Sequence, residues 1–342
     1  MSVVARDCRA PETRRLAVSR RALVLAGGAV LGARALPFAA KAQEATPAGG
    51  ETRVIPTTMG DVEIVGTPER VVALEWNLVE YLLALGVQPA AIADVEGYET
   101  WVTTPVELGP DVADVGLRWE PSLESIAAAE PDLILGTTDR DEAIYGQLGA
   151  IAPTLLLPPY PTEEGEDPIA DINETISTIA EALNRQAEAE AVIARMEQAI
   201  ADGAAAIEAA GRAGEPFILT QAFTDENVPT LRLFTNQSLF GHVVSQLGLE
   251  NAWAGEPDPW GFNTVTVEAL VSAPAETNFF YVVQGDDDIF ANQLQDDPIW
   301  SSLPFVQAGR LYPLGGDTWT FGGQLSVERL VDKVVERLAP EA

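Results

Sequence analysis

Arg118 and Glu124, in the stretch 114–126 (DVGLRWEPSLESI), are the side chains of this 342-residue sequence whose types and spacing best suit chemistry. Arg118 stands beside Trp119 at the expected mouth of an α/β unit. A guanidinium is always charged and presents its donors as a fork, which suits an anionic ligand in a cleft. Glu124 falls in the first turn of a helix that Pro121 and Ser122 open. A carboxylate there is favourable against the helix dipole alone, and it also suits a basic partner outside the molecule. The pair points to a protein that holds something and hands it over.

Other chemistries are poorly served. Past residue 42 the chain has one histidine, His242, and no cysteine. His242 sits in the apolar pattern LFGHVVSQL, as a packed or surface helix residue would. Zinc sites need clustered His and Cys, and Ser–His–Asp or Cys–His catalysis would rest on that single imidazole with no nucleophile elbow nearby. The glycine-rich stretches 314–317 and 321–323 lack a P-loop lysine and read as tight turns at a cleft edge. Asp286, Asp287 and Asp288 could attract calcium, but their spacing is not that of an EF-hand loop and a solvated turn is the simpler reading. Trp101, Trp119, Trp260, Trp319 and Phe321 all fall in loops near expected strand ends. Each alone fits packing as well as ligand contact. Five together suggest the flat apolar walls that a bulky organic ligand needs.

The elements that must position these residues alternate. Short apolar runs at 71–74, 91–93, 133–135 and 154–157 read as buried strands, with helices at 78–85, 122–129 and 142–150 between them. Such alternation predicts a mostly parallel sheet covered on both faces. From residue 168 to 210 the pattern is wholly helical, broken at Asn184, which suits a left-handed C′ position. The second of these helices, about 185–210, would be a stiff alanine-rich rod roughly 38 Å long, ended by Gly211 and Gly214. A second α/β half follows, with strands at 217–221 and 279–283 and helices at 239–247, 267–270 and 326–338. The expected organisation is an N-terminal lobe over 55–184, a linker helix over 185–212 and a C-terminal lobe over 213–342, with a cleft where the strand-end loops meet.

Residues 1–42 read as a twin-arginine export signal: Arg14, Arg15, Arg20 and Arg21 form the basic region, 23–36 the apolar one, and Ala40-Lys41-Ala42 a cleavage site. Residues 43–54 read as a tether. No cysteine sits at the cleavage point to carry a lipid, so the expected product is a soluble periplasmic protein. That product would carry 50 acids against 12 bases, a net charge of −38. Such a field repels nucleic acid and anionic membranes and argues against both as partners.

Several short motifs in order resemble the periplasmic ferric-siderophore binding proteins of ABC importers, most of all the ferric-hydroxamate branch. They include Ala73-Leu74-Glu75-Trp76, Val115-Gly116-Leu117-Arg118 with Glu120-Pro121, Ile151-Ala152-Pro153, Asn251-Ala252-Trp253, Trp260-Gly261 and Pro304-Phe305-Val306. The resemblance implies an α/β fold of two Rossmann-like lobes joined by a long rigid α-helix, with a shallow cleft and little closure. It implies that Arg118 donates hydrogen bonds to the iron-coordinating oxygens and that Trp101, Trp260, Trp319 and Phe321 pack against the ligand. The siderophore saturates the iron, so neither a protein metal ligand nor a resident cofactor is expected. Glu124 and Glu268 match the acids that dock on permease arginines, and the expected working form is a monomer.

One departure stands out. Where the hydroxamate branch has a cleft tyrosine, this chain has Thr137-Thr138-Asp139-Arg140. Arg140 is either a second cleft cation, favouring an anionic ligand such as ferric citrate or a mixed citrate–hydroxamate, or a surface arginine paired with Asp139 or Glu142. The expected function is capture of a ferric siderophore for an ABC permease, without enzymatic activity. The rivals are a corrinoid or haem receptor of the same plan, a sensory module, and an exported redox enzyme.

Overall fold

The computed structural model describes residues 51–159 and 167–340. The expected export signal and most of the tether lie outside the described residues. Strand β1 (Thr52–Thr57) pairs with β2 (Gly60–Val65) in an antiparallel hairpin. It thus begins inside the stretch read as a tether, and the Arg53 guanidinium donates to the Ala182 carbonyl at 2.9 Å.

The N-terminal lobe is a five-stranded parallel sheet. Its strands are β3 (Val71–Ala73), β4 (Ala91–Ile92), β5 (Ala113–Asp114), β8 (Leu133–Thr137) and β9 (Thr154–Leu157), in the order β5-β4-β3-β8-β9. Strands β3, β8 and β9 are buried throughout, which is why they appear in the sequence as unbroken apolar runs and not as alternating ones. Helix α1 (Trp76–Ala84) and α2 (Val95–Trp101) follow β3 and β4. Between β5 and β8 come a tight hairpin, β6 (Gly116–Leu117) and β7 (Glu120–Pro121), and helix α3 (Leu123–Ala128). Ser122 caps α3, its side chain accepting from the Ser125 N–H at 3.2 Å. Pro121 lies in β7, one position before the cap. The helix expected over 142–150 is a 3₁₀ turn (Glu142–Ile144) followed by α5 (Tyr145–Leu148), and a further short helix, α4 (Thr138–Asp141), precedes it.

Helix α6 (Pro168–Leu183) ends at Asn184, which is left-handed at φ 56°. The rod α7 (Gln186–Ala209) follows, about 36 Å long for its 24 residues. At Gly203 a Cβ would lie 2.7 Å from Val331 Cγ1 and 2.9 Å from Leu247 Cδ2, so glycine lets neighbouring elements close onto the rod.

The C-terminal lobe departs from the expected parallel pattern. Strand β10 (Pro216–Asp225) turns directly into β11 (Val228–Phe234), and β11 pairs antiparallel with β13 (Phe262–Val265). The two-residue turn between β10 and β11 has both Glu226 and Asn227 at positive φ, the primed geometry that matches strand twist. Glutamate is a weak signal for such a turn, which hides the hairpin in the sequence. On its other side β10 runs parallel to β14 (Asn278–Val282), which pairs with β15 (Leu311–Pro313), while the short β12 (Glu250–Asn251) joins β10. Helix α8 (Leu239–Gln246) packs on the inner side; beyond it come the short helices α9 (Ile289–Asn292), α10 (Pro298–Ser302) and α11 (Pro304–Gln307), and Trp300 and Phe305 fill a separate apolar cluster on the outer side.

The C-terminal helix α12 (Gln324–Leu338) packs against α7, α8 and α1. One continuous apolar core thus runs from Ile55 through both lobes to Leu338. That shared core explains how two sheets hold one cleft between them. No helix among the described residues is long and apolar enough to cross a membrane.

Candidate ligand cleft

The floor of the cleft is laid by the first residue after β3 and Leu74. Glu75 is the N-cap of α1, and its Oε1 accepts from the Trp76 N–H at 2.8 Å. It is 7% exposed, and two guanidiniums converge on it. Arg118 and Trp119 form the tip of the β6–β7 hairpin, a turn that Leu117 and Glu120 close by pairing. From that tip Arg118 Nη1 donates to Glu75 Oε1 at 2.7 Å, and its Cζ lies 3.6 Å from the Trp76 ring centroid and 5.3 Å from that of Trp319. Arg140 approaches from α4 and donates through Nη1 to Glu75 Oε2. Its Nε is 3.8 Å from Asp139, and its Cζ lies 5.5 Å from the Trp260 centroid. The cleft reading of Arg140 and its pairing with Asp139 therefore coexist.

The C-terminal lobe closes the site with Arg232, Trp260 and Phe262, and the loop before α12 brings Trp319 and Phe321. Together these residues, with Glu75, Arg118, Trp119, Arg140 and Pro159, line a cavity of about 290 Å³. Its aromatic wall is continuous. Trp319 meets Phe321 at 5.3 Å between centroids, and Phe321 meets Trp260 at 6.0 Å and Phe262 at 5.9 Å, while the buried Trp76 backs Trp319 at 4.8 Å, all edge to face. Such pairs hold one another's orientation in addition to burying area. Trp101, expected on the wall, is set one ring back: it packs on Trp319 at 6.2 Å and does not line the cavity. Trp119, 64% exposed, stands at the rim.

Arg232 lies on β11, a strand that the sequence pattern does not announce, where it alternates with the buried Leu231 and Leu233. The side opposite the core here faces the cleft. Arg232 lies 4.8 Å from the Phe223 centroid and 5.2 Å from that of Phe262, and it donates to Gln221 Oε1 at 3.1 Å. Burial lowers its pKa, opposed by the carboxylates of Asp258 and Asp225. Glu75 was also missed as a site residue, although an acid inside the run VVALEW was a usable signal.

Behind the wall, the aromatic loop is tied to the other lobe by Glu80 of α1. This carboxylate is 1% exposed and accepts from the Gly323 N–H at 2.9 Å, the Ser326 N–H at 2.8 Å and the Ser326 hydroxyl at 2.7 Å. Gly323 is the N-cap residue of α12 and offers no side chain to cap it. Glu80 therefore caps it from a distance, satisfying N–H groups a helix N-terminus would leave bare. Burial pushes the Glu80 carboxyl up in pKa, and its hydrogen bonds oppose that rise. At Gly323 a Cβ would lie 2.5 Å from the Tyr81 ring, so the approach requires glycine.

A third buried acid, Asp141, follows Arg140 in the chain and accepts from the Thr137 N–H at 2.8 Å. Burial raises its pKa to about 6, aided by Asp139 and opposed by Arg140 and the Thr137 N–H. An acid whose folded pKa lies above its unfolded value binds a proton more readily when folded, so stability falls as pH rises from about 4 to 6. Asp141→Asn is expected to flatten that slope and to raise stability at pH 7.5 by about 1–2 kcal/mol. Urea unfolding at pH 4.5 and 7.5 checks it; an unchanged difference between the two pH values would remove Asp141 as the cause.

The remaining expected residues are not in the cleft. Glu124 and Glu268 are both exposed, in the first turns of α3 and of a 3₁₀ helix (Val267–Ser272). The Thr266 hydroxyl donates to Glu268 and, as the leading cause, lowers its pKa. The acids at 286–288 serve the fold: Asp287 accepts from the Thr224 N–H at 2.7 Å, and Asp288 caps the short helix Ile289–Asn292. No group of three or more His, Cys, Asp or Glu side chains among the described residues is arranged to hold a metal ion.

Two α/β lobes on a long helix, with a cationic and aromatic cleft between them, define a solute-receptor architecture. The chain belongs to the periplasmic binding protein family, which it matches over residues 71–318. It is 32% identical over 268 residues to the iron(3+)-hydroxamate-binding protein FhuD of Escherichia coli strain K12, covering 77% of this chain and 85% of that protein. It is 29% identical over 289 residues to the Fe(3+)-citrate-binding protein YfmC of Bacillus subtilis strain 168, covering 84% and 86%. Among solved structures, siderophore-binding protein FhuD of Vibrio cholerae bound to Fe3+–Desferal superposes with a TM-score of 0.71 at 29% identity, covering 79% of this chain and 98% of that one.

Proposed function

We propose that this protein is a periplasmic receptor that binds a ferric siderophore of hydroxamate or mixed citrate–hydroxamate type in its cleft and delivers it to an ABC permease. The observation that carries the reading is the convergence of Arg118 and Arg140 on Glu75 inside an aromatic-walled cavity. Ferric hydroxamates and citrates present anionic oxygens around the metal and an organic skeleton outside it. Forked cations suit the first and edge-packed rings the second. Relatives that bind iron(3+)-hydroxamate and Fe(3+)-citrate support the same reading. The siderophore supplies the iron's ligands, so iron is cargo and the protein need coordinate nothing.

In this reading Arg118 and Arg140 donate to the iron-coordinating oxygens, while Trp260, Trp319 and Phe321 hold the skeleton and Trp101 supports Trp319 from behind. The test is a tryptophan-fluorescence titration with ferric Desferal, ferric dicitrate, cobalamin and haemin. Saturable binding of a ferric complex is expected, and binding of cobalamin or haemin alone would overturn the reading.

Glu124 and Glu268 are the proposed permease contacts, since each presents an exposed carboxylate on a short rigid turn. The double variant Glu124→Arg/Glu268→Arg is expected to abolish iron uptake in cells and to leave the dissociation constant for ferric Desferal within about twofold. Retained uptake would place the docking surface elsewhere.

A further inference from the structure

From the geometry we propose that Glu75 is the specificity-determining residue of the cleft: a built-in anion that lowers its positive charge and so sets which ferric complexes it prefers. The inference rests on the proposed function and adds the charge class of the ligand. The cavity is lined by three arginines, Arg118, Arg140 and Arg232, and by one acid, Glu75, which leaves a net charge of +2. Glu75 is not a bystander at the rim. It is buried, its Oε1 is shared between the Trp76 N–H and Arg118, and its Oε2 is held by Arg140. The carboxylate thus bridges two guanidiniums that would otherwise repel one another, and it takes one N–H from each.

That position has a consequence for selectivity. A ligand seated against Arg118 and Arg140 lies within a few ångströms of the Glu75 charge, in a pocket where burial strengthens every electrostatic contact. Against an anionic complex Glu75 is repulsive; against a cationic one it is attractive. Discrimination by an unfavourable charge is a common device of selective sites. The cleft is thereby tuned toward neutral, cationic or weakly anionic ferric complexes, even though three arginines line it.

The experiment compares ferric dicitrate, an anion, with ferric Desferal, whose pendant ammonium makes it a cation. Glu75→Gln keeps the shape and the oxygen that caps α1, and is expected to raise the affinity ratio of dicitrate to Desferal at least about tenfold. The double variant Glu75→Gln/Arg140→Gln returns the lining charge to +2 and is expected to bring the ratio back toward the wild-type value. If Glu75→Gln does not fold, Glu75→Ser, which retains a capping oxygen, carries the same expectation. An unchanged ratio, loss of both complexes in the single variant, or a ratio that stays raised in the double variant would overturn the proposal and leave Glu75 a scaffold residue. Failure of the wild-type protein to bind either complex overturns the receptor reading and this proposal with it.

Discussion

Arg118→Ala is expected to weaken binding of ferric Desferal by about 100-fold or more, the largest effect of any single cleft substitution. Truncating one partner of a desolvated, charge-assisted contact typically costs about 2–5 kcal/mol, and each 1.4 kcal/mol is a factor of about ten in affinity. Arg118 meets the conditions for a cost within that range. Its side chain is only 13% exposed, its guanidinium is fixed over Trp76 at 3.6 Å, and Glu75 holds one of its nitrogens. Little is therefore lost in ordering it when ligand arrives. Arg118→Lys keeps the charge and loses both the fork and the stacking plane, so it should fall between wild type and alanine. The residue sits at a hairpin tip, and Arg140 still pairs with Glu75, so the urea midpoint should hardly move. A loss in affinity below about threefold, with folding intact, would remove Arg118 from the ligand contact.

Glu80→Ala is expected to have the largest effect on the fold, lowering stability by about 3–5 kcal/mol. Three donors lose their acceptor at once: the Gly323 N–H, the Ser326 N–H and the Ser326 hydroxyl. Water cannot replace it easily at a site where Glu80 is 1% exposed. Buried donors left bare cost about 1–3 kcal/mol each, discounted because the helix end can relax. Glu80→Gln keeps one acceptor and should lose markedly less. Urea or thermal unfolding measures both variants. If Glu80→Ala falls within about 1 kcal/mol of wild type, the helix finds another cap.

How far the sequence revealed the molecule can be traced to particular residues. The parallel N-terminal sheet was legible because its central strands are buried on both faces and spell plain apolar runs. The rod was legible because Asn184 punctuates it and its alanines favour helix. The β10–β11 hairpin was not, since Glu226 takes a left-handed conformation that local sequence does not announce. In the cleft, Arg118 stood out beside a tryptophan in a loop, whereas Arg232 stayed hidden together with β11, the hairpin strand that carries it. Glu75 and Glu80 were harder still. Each gains its role from a partner far away in sequence: Arg118 and Arg140 for one, Gly323 and Ser326 for the other. Trp101 is placed against the ligand by resemblance, and local sequence does not announce that Trp319 packs on it.

The seat of α12 on Glu80 also governs the order in which the chain can finish folding. The carboxylate at position 80 waits for donors made some 243 residues later. While the polypeptide is still being synthesised, the N-terminal lobe must keep an unsatisfied acid near its apolar core. Non-local closure of this kind is slow, and the incomplete lobe is exposed to misassembly until the last helix arrives. A chain truncated before residue 323 would lose far more than its final helix, because the defect would sit in the first lobe. A glutamate near the start of the chain thus makes the first lobe depend on the arrival of the last helix.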